Sequence, residues 1–231
     1  MIDSGIDPWF RAKASKARGG HPHAYERIDP ASTAHVVVDM QKYFVDPDLA
    51  AFGGAALKII PEINHLAGAT RAAGGRVIWI RTEAPDDPND WANRAEASSA
   101  EKWERRRRLL SRSGEGFPIH AECDVQPEDW TVTKSRYSAF IPYPSEFDTR
   151  LRDGHIKTVL ITGIATSSCC ESTARDASMW GYRTIMISDA CVDQTPALHN
   201  HALGKFLVTF GDVRTSEEVR TMLAAATKEP G

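Results

Sequence analysis

The sequence contains little cysteine and carries no strong net charge. Four cysteines in 231 residues are too few for the dense disulfide framework of a small secreted domain, so we expect free thiols in a reducing compartment. Lysine and arginine total 28 against 31 aspartates and glutamates, and the formal net charge is -3. Such a chain has no overall field that recruits nucleic acid or an anionic membrane, which favours a small-molecule partner.

Long hydrophobic runs are also missing. The longest apolar runs, such as residues 158–161, are far shorter than the roughly 20 residues that cross a bilayer. The polar N-terminus lacks the apolar stretch of a signal peptide. We therefore predict a cytoplasmic protein that binds neither a membrane nor nucleic acid.

The composition is that of an ordinary globular protein, with 42% hydrophobic and 26% charged residues. Residues 1–33 have a Gly19-Gly20 pair, three prolines and no sustained periodicity, so we interpret them as an N-terminal arm that packs on the body or on a neighbouring subunit. We expect residues 34–231 to form one domain.

Strand and helix patterns alternate along this domain. The predicted strands are 34–39, 76–80, 130–134, 156–162, 183–188 and 212–214. The helical patterns lie near 57–67, 90–110, 169–180, 196–210 and 216–226. This alternation predicts an α/β fold with a doubly wound parallel sheet, helices on both faces and ligands at the carboxyl ends of the strands. Residues 84–129 form a polar excursion that suits a lid or an oligomer contact.

Cys169 is a candidate nucleophile because it lies where a small-residue turn joins a buried strand to a helix. Unpaired backbone N–H groups and the helix dipole at such a position are expected to lower the thiol pKa. The simpler interpretation is that a free cysteine is a small buried hydrophobe. Asp39 and Lys134 also end predicted strands, so an acid, a cation and a thiol are expected to meet at one edge of the sheet. Alone, Asp39 is more typical of a loop cap and Lys134 of a solvated surface.

Three ordered segments resemble the isochorismatase-like cysteine hydrolase family: residues 36–44, 133–140 and 163–177. The resemblance implies a sheet of about six parallel strands, Asp39 as general base, Cys169 as nucleophile and Lys134 organising the charge between them. It further implies a cis peptide between Ile164 and Ala165, and an oxyanion hole formed by the N–H groups of Ala165 and Cys169. It suggests a homodimer or homotetramer.

The chemistry expected from this triad uses no metal and no cofactor. Asp39 takes the thiol proton, the thiolate attacks an amide or ureido carbonyl, and water hydrolyses the resulting thioester with release of ammonia or carbamate. Gly163, Thr166 and Cys169 align with the family pattern, which leaves Cys170 to packing. Cys123 and Cys191 are interpreted as structural.

The branch of the family is indicated by what surrounds the motifs. Residues 41–64 contain no histidine, which disfavours the metal-bearing nicotinamidases. Isochorismatases lack the nucleophilic cysteine, so Cys169 disfavours them. The arm and the segments 134–140 and 170–176 look closest to the ureidoacrylate and N-carbamoyl branch, and a ureido or carbamoyl amide is the predicted substrate.

Six residues are candidates for the pocket. The aromatic ones are expected to form its walls, although core packing is the commoner fate of any one aromatic, and the polar ones either bind substrate or brace loops. The candidates are Gln41, Phe44, Trp91, Tyr137, Phe140 and Arg175.

Other motifs indicate less. The basic run at 104–108 is interpreted as a solvated helix face or a subunit contact rather than a nucleic-acid site. His199 and His201 do not share a helix face, and His199 is expected to brace the sheet. Neither Gly53-Gly54 nor Gly74-Gly75 has the context of a phosphate-binding loop, so no nucleotide cofactor is predicted.

Two functions remain as alternatives. One is a thiol redox or ligand-binding protein that uses Cys169 and Cys170, although adjacent cysteines do not resemble the C-x-x-C redox motif. The other is an isochorismatase-type vinyl ether hydrolase, whose activity would survive loss of the thiol.

Overall fold

The structure is a computed structural model that describes residues 5–49, 52–85, 87 and 90–227. Within these ranges six strands form one sheet. They are β1 (Thr33–Val38), β2 (Arg76–Thr82), β3 (Trp130–Lys134), β4 (Thr158–Ile164), β5 (Arg183–Val192) and β6 (Asp212–Arg214). Their order across the sheet is β3-β2-β1-β4-β5-β6, and every neighbouring pair is parallel. The predicted doubly wound parallel sheet is confirmed.

The helices are α1 (Pro8–Ala17), α2 (Lys42–Val45), α3 (Ile60–Ala72), α4 (Ala92–Glu96), α5 (Ala100–Leu110), α6 (Glu146–Asp153), α7 (Glu171–Met179), α8 (Pro196–Thr209) and α9 (Ser216–Ala226). A π-helical turn, Thr166–Cys170, leads into α7. None of the described helices has the length and apolar character needed to span a bilayer.

Both faces of the sheet are buried, which explains the continuous apolar runs of its strands. In β1, Val36 and Val38 belong to a core shared with α6, α7 and α8, whereas Val37 belongs to a second core shared with α3 and α9. Successive side chains of a strand point to opposite faces, so one strand of valines supplies both cores.

The N-terminal arm is more regular than its sequence pattern predicts. It contains α1, which begins after the capping side chain of Asp7 with a proline in its first turn and packs on α8. The side chain of Phe10 lies directly over Gly204 of α8, and Arg18 donates hydrogen bonds to the carbonyls of Leu207 (2.6 Å) and Gly211 (2.8 Å). The arm therefore lies on the body of its own chain. The division of the chain at residue 33 stays a prediction.

Two other regions differ from the predicted pattern. The single helix expected near residues 90–110 is two helices, α4 and α5, because Ser99 caps a new helix by accepting a hydrogen bond from the Lys102 N–H. The sequence patterns place no helix between residues 134 and 156, yet this stretch contains α6, which Ser145 caps in the same way. Each cap satisfies N–H groups that a helix start leaves without partners.

The order of the strands positions the site. The chain adds β2 and β3 on one side of β1, and then β4, β5 and β6 on the other side. In open α/β sheets, ligands bind where this order reverses, in the crevice at the carboxyl ends of the strands. Asp39 follows β1, Thr82 ends β2, Lys134 ends β3, and Ala165 follows β4. Four neighbouring strands therefore deliver polar or reactive groups to one edge.

Candidate active site

Asp39 is held rigidly in the first turn after β1. Its backbone has a φ of 55°, in the left-handed region that aspartate tolerates better than most residues, and its N–H donates to the carbonyl of Ile80 (3.0 Å). The nearby amide of Gln41 donates to the carbonyls of Thr82 (3.0 Å) and Phe117 (2.8 Å) and accepts from the Thr82 N–H (2.7 Å). Gln41 is therefore a brace that joins three loops at this edge.

Lys134 is the centre of the cluster. Its Nζ donates to Asp39 Oδ2 (2.8 Å), to Thr82 Oγ1 (2.6 Å) and to the carbonyl of Arg136 (3.1 Å), and it lies 3.5 Å from Cys169 Sγ. Burial alone would lower the pKa of Lys134, but Asp39 and Cys169 raise it above its ordinary value. Lys134 therefore remains an ammonium ion in contact with both the acid and the thiol.

Thr82 is a fourth member that the sequence reasoning missed. Its hydroxyl accepts a hydrogen bond from Lys134 and donates one to Asp39 Oδ1 (2.9 Å). The position of Thr82 could have indicated its role, because Thr82 ends β2 at the same sheet edge as the other groups. Threonine is so common in strands, however, that its presence alone does not indicate a function.

Cys169 lies within the π-helical turn Thr166–Cys170, directly beyond the end of β4. The Ile164–Ala165 peptide bond at the start of this turn is cis, as the resemblance implied. Ala165, Ser168 and Cys169 line one cavity together. π-helical turns inside helices are frequent at functional sites.

The expectation that the helix start lowers the pKa of Cys169 is wrong for this resting site. Burial and, after it, Asp39 together raise the pKa of the thiol to about 12, although Lys134 and Arg106 act in the opposite direction. The thiol is 8% exposed, so loss of hydration outweighs the nearby cations. Cys169 is therefore a neutral thiol until a base takes its proton.

Two contacts hold the nucleophile turn in place. The N–H of Ser167 donates to Asp193 Oδ2 (2.6 Å), and Thr166 Oγ1 lies 2.8 Å from Nδ1 of His199 on α8. Burial lowers the pKa of His199, which favours the neutral imidazole in this contact. His199 thus braces the turn that carries Cys169.

The other thiols are buried away from the cavity. Cys170 is completely buried in the core on the α7 side, its Sγ lies 3.7 Å from the carbonyl oxygen of Thr162, and burial raises its pKa well above the ordinary value. This environment fits the packing role predicted for Cys170. The described cysteines are free and buried: Cys123, Cys169, Cys170 and Cys191.

The cavity at Cys169 has a volume of about 540 Å³, which is in the range of small-molecule sites. One part of its wall is aromatic and another is strongly basic. Its lining is Tyr43, Phe44, Asp48, Leu49, Phe52, Arg94, Ser98, Lys102, Trp103, Arg105, Arg106, Tyr137, Ala165, Ser168, Cys169 and Gln194.

A larger groove, of about 870 Å³, lies on the other side of Lys134. Its lining includes Glu83, Asp90 and Glu146 but neither Asp39 nor Cys169. A reaction at the thiol therefore belongs to the smaller cavity.

Three of the six pocket candidates lie at or beside this cavity. Phe44 and Tyr137 line it, and the Tyr137 hydroxyl accepts a hydrogen bond from Arg94 Nε (2.8 Å). Trp91 is outside the lining but packs edge-on against Tyr137, with ring centroids 5.0 Å apart.

The other three do not reach the cavity. Gln41 has its amide occupied by the backbone contacts described above. Phe140 lies in the core against Phe147, with ring centroids 5.0 Å apart. Arg175 projects from α7 to pair with Glu171 and to cover the ring of Phe210. None of these three side chains lines the cavity, because packing or local pairing already uses each of them, and their assignment to substrate binding stays a prediction.

Among the described residues, no group of three or more histidine, cysteine, aspartate or glutamate side chains is placed to hold a metal ion. The polar groups at the sheet edge are used by the Asp39, Thr82 and Lys134 contacts.

Comparison with known proteins identifies the family of the chain. The model of the isochorismatase domain matches residues 33–218. The chain belongs to the isochorismatase family. It is 32% identical over 208 residues to ureidoacrylate amidohydrolase RutB of Caulobacter segnis, covering 84% of this chain and 86% of that relative. It is 34% identical over 190 residues to the protein of the same name in Pseudomonas syringae pv. syringae, covering 76% and 77%.

Solved structures of the isochorismatase family agree. A cysteine hydrolase from Pseudomonas syringae pv. phaseolicola superimposes with a TM-score of 0.80 at 28% identity, covering 89% of this chain and 99% of the other. N-carbamoylsarcosine amidase from Thermoplasma acidophilum gives 0.64 at 26% identity, covering 80% and 97%. The predicted family, fold class and hydrolase character are confirmed.

Proposed function

We propose that this isochorismatase-family protein is a cysteine-dependent amidohydrolase that cleaves a C–N bond in a small ureido or carbamoyl substrate. The observation that carries the proposal is the contact of one buried ammonium, Lys134, with both Asp39 and Cys169, because Cys169 lines a small-molecule cavity. The names of the relatives, ureidoacrylate amidohydrolase and N-carbamoylsarcosine amidase, support the same substrate class.

The mechanism begins with a proton transfer from the Cys169 thiol to Asp39. The thiolate then attacks the substrate carbonyl, and Lys134 stabilises the negative charge that moves between acid and sulfur. The N–H groups of Ala165 and Cys169 are assigned to the oxyanion of the tetrahedral intermediate. Asp39 returns its proton to the departing amine, which leaves a thioester on Cys169.

The second half of the reaction regenerates the enzyme. Asp39 takes a proton from water, the resulting hydroxide attacks the thioester carbonyl, and the thiol leaves with that proton. The net reaction consumes one water and releases ammonia or carbamate. Every proton is handled by one carboxylate.

The test is ammonia release from a panel of ureido, N-carbamoyl and simple amides, with wild type compared with Cys169→Ala and Cys170→Ala. We expect turnover with a ureido or carbamoyl amide that Cys169→Ala abolishes and Cys170→Ala retains. Intact-protein mass spectrometry during turnover should show the acyl adduct on wild type and on Cys170→Ala but not on Cys169→Ala.

Other outcomes are equally informative. Turnover that persists in Cys169→Ala contradicts the thiol mechanism. It favours a vinyl ether hydrolase, whose activity would survive loss of the thiol. Stoichiometric oxidation of Cys169 by peroxide, with no turnover on any amide, favours a redox protein.

A further inference from the structure

The cavity at Cys169 is strongly basic although the chain as a whole is slightly acidic. Four of its lining residues are cationic, and Asp48 is the single acid among them. The cationic residues come from α4 and α5 of the polar excursion: Arg94, Lys102, Arg105 and Arg106. A concave site lined by one sign of charge attracts ligands of the opposite sign.

Arg106 differs from the two other arginines of this lining because its guanidinium has no hydrogen-bond acceptor among the described residues. Its guanidinium lies over the rings of Tyr43 (5.8 Å to the centroid) and Phe44 (6.0 Å), and among the described residues it makes neither a hydrogen bond nor an ion pair. By contrast, Arg94 is engaged by Tyr137, and Arg105 reaches the carbonyl of Leu49.

Arg106 lines the same cavity as Cys169. It is half-buried, and its charge lowers the pKa of the Cys169 thiol, although less than the charge of Lys134 does. The two aromatic rings beside the guanidinium restrict its motion, and no acceptor among the described residues engages its N–H groups. A fixed fork of donors without an acceptor matches the two oxygens of a carboxylate.

We propose that Arg106 binds a carboxylate of the substrate, so that the enzyme is selective for ureido or carbamoyl acids over neutral ureas and amides. This inference rests on the proposed function, since it names the substrate class of the same site. The carboxylate sits against α5 while the ureido carbonyl lies at Cys169. The polar excursion is thus a specificity element, and its basic run is in part a binding surface.

The test measures binding without turnover. In a Cys169→Ala background, calorimetry compares ureido acids of increasing chain length, beginning with β-ureidopropionate, with the alcohols of the same length. Arg106 is then replaced by glutamine or lysine, and Arg108→Gln is the matched control, because Arg108 is on the same helix but is exposed and outside the cavity lining.

We expect at least one acid to bind more tightly than its alcohol. Arg106→Gln should weaken binding of that acid by roughly tenfold or more, the usual effect of losing a hydrogen bond to a charged group. Arg106→Lys should retain part of the preference, and Arg108→Gln all of it. Circular dichroism and the unfolding midpoint check that each variant folds.

Two results would overturn the inference: no acid binds better than its alcohol, or Arg106→Gln behaves like Arg108→Gln. Failure of the proposed function looks different. If the acids bind through Arg106 but the protein with Cys169 intact hydrolyses none of them, the anion site stands and the amidohydrolase assignment fails. If a neutral amide is hydrolysed but no acid binds, the amidohydrolase assignment stands and the anion site fails.

Discussion

Lys134 and Asp39 form an ion pair in which each side chain is 1% exposed. Buried ion pairs add little net stability, because removing both charges from water costs about as much as their attraction returns. Removing one partner alone leaves an unpaired buried charge and destabilises a protein by roughly 3–5 kcal/mol. Substitution of Lys134 would therefore mix lost chemistry with lost folding, and subtler variants around the pair are more informative.

Thr82→Val is such a variant, since it keeps the shape of the side chain and removes the hydroxyl between Lys134 and Asp39. We infer that Thr82 is a positioning residue that orients both groups. The expected result is a drop in kcat/KM of roughly tenfold to hundredfold, equal to one or two lost charge-assisted hydrogen bonds of about 1.5 kcal/mol each. Steady-state kinetics across pH measures the effect.

The control is Thr82→Ser, which restores the hydroxyl and should recover most of the activity and the original pH profile. Equal activity and pH profiles in wild type, Thr82→Val and Thr82→Ser would show that the hydroxyl only fills space.

The raised pKa of Cys169 leads to a pH prediction. Because burial and Asp39 raise the pKa to about 12, the free thiol stays protonated at neutral pH, and the thiolate fraction should grow about tenfold for each pH unit up to that value. Alkylation of Cys169 by iodoacetamide, followed by peptide mass spectrometry from about pH 6 to pH 10, should therefore show a steady rise. A plateau near neutral pH would mean that a stable thiolate exists in the resting site.

Asp39→Asn provides the comparison for this experiment, once circular dichroism shows that the variant is folded, because it leaves the buried Lys134 without its anionic partner. Removing the negative charge removes one of the two causes that raise the thiol pKa, so alkylation at a given pH should become faster. The same variant should lose amide turnover, since the base is gone. Slower alkylation of Asp39→Asn would contradict the assigned sign of the Asp39 effect.

The sequence predicted the strands most accurately and the helices least accurately. β3 and β6 lie where the sequence patterns place them. The strands β1 and β4 are buried along their whole length, which agrees with the apolar runs that predicted them. Helix α1 was missed because its apolar side chains are few: Phe10 and Ala14 pack on α8 while Trp9 is 60% exposed. Periodicity detects a wide apolar stripe, and α1 has a narrow one.

Gly163 in β4 supports a prediction about how the nucleophile turn is attached. Its φ of 111° is unfavourable for other residues, and a Cβ there would lie 2.1 Å from the Val38 carbonyl oxygen in the adjacent strand. Gly163→Ala should therefore destabilise the protein by about 3 kcal/mol or more, measured by urea unfolding, and displace the turn that carries Cys169.

Gly74→Ala is the comparison for that variant. Gly74 also has a positive φ, of 87°, but a Cβ there meets no atom within 4 Å. The expected cost is therefore backbone strain alone, about 1 kcal/mol. Equal destabilisation of the two variants would show that contact with Val38 is unimportant.

For the molecule as a whole, the sequence predicted that Asp39, Lys134 and Cys169 meet at one edge of the sheet, but not which residues form the wall that faces them. Asp39, Lys134 and Cys169 were found because parallel strands deliver their carboxyl ends to one edge. The run at 104–108 was interpreted as a solvated face or a subunit contact, yet Arg105 and Arg106 line the cavity. Which face of α5 turns inward depends on how the excursion folds over the sheet edge, and no strand rule governs that path.

A last prediction concerns the N-terminal arm, which either stabilises its own chain or completes the site of a neighbouring subunit. Phe10 covers Gly204 and meets the His201 ring edge-on, with centroids 5.7 Å apart, so Phe10→Ala removes an anchor of the arm on α8. We expect a loss of about 2 kcal/mol in the free energy of unfolding, less than for a fully buried phenylalanine because Phe10 is only partly buried. Trp9→Ala, at an exposed neighbour, should cost much less.

Activity of these arm variants separates the two possibilities. An arm that only stabilises its own body leaves kcat/KM per folded molecule unchanged, because α1 packs on α8 and contributes nothing to the cavity lining. If Phe10→Ala loses activity at unchanged stability, and sedimentation shows that the predicted homodimer or homotetramer dissociates with it, the arm instead completes the site of a neighbouring subunit. The first outcome is expected, since Arg18 at the end of α1 is already bonded to carbonyls of its own chain.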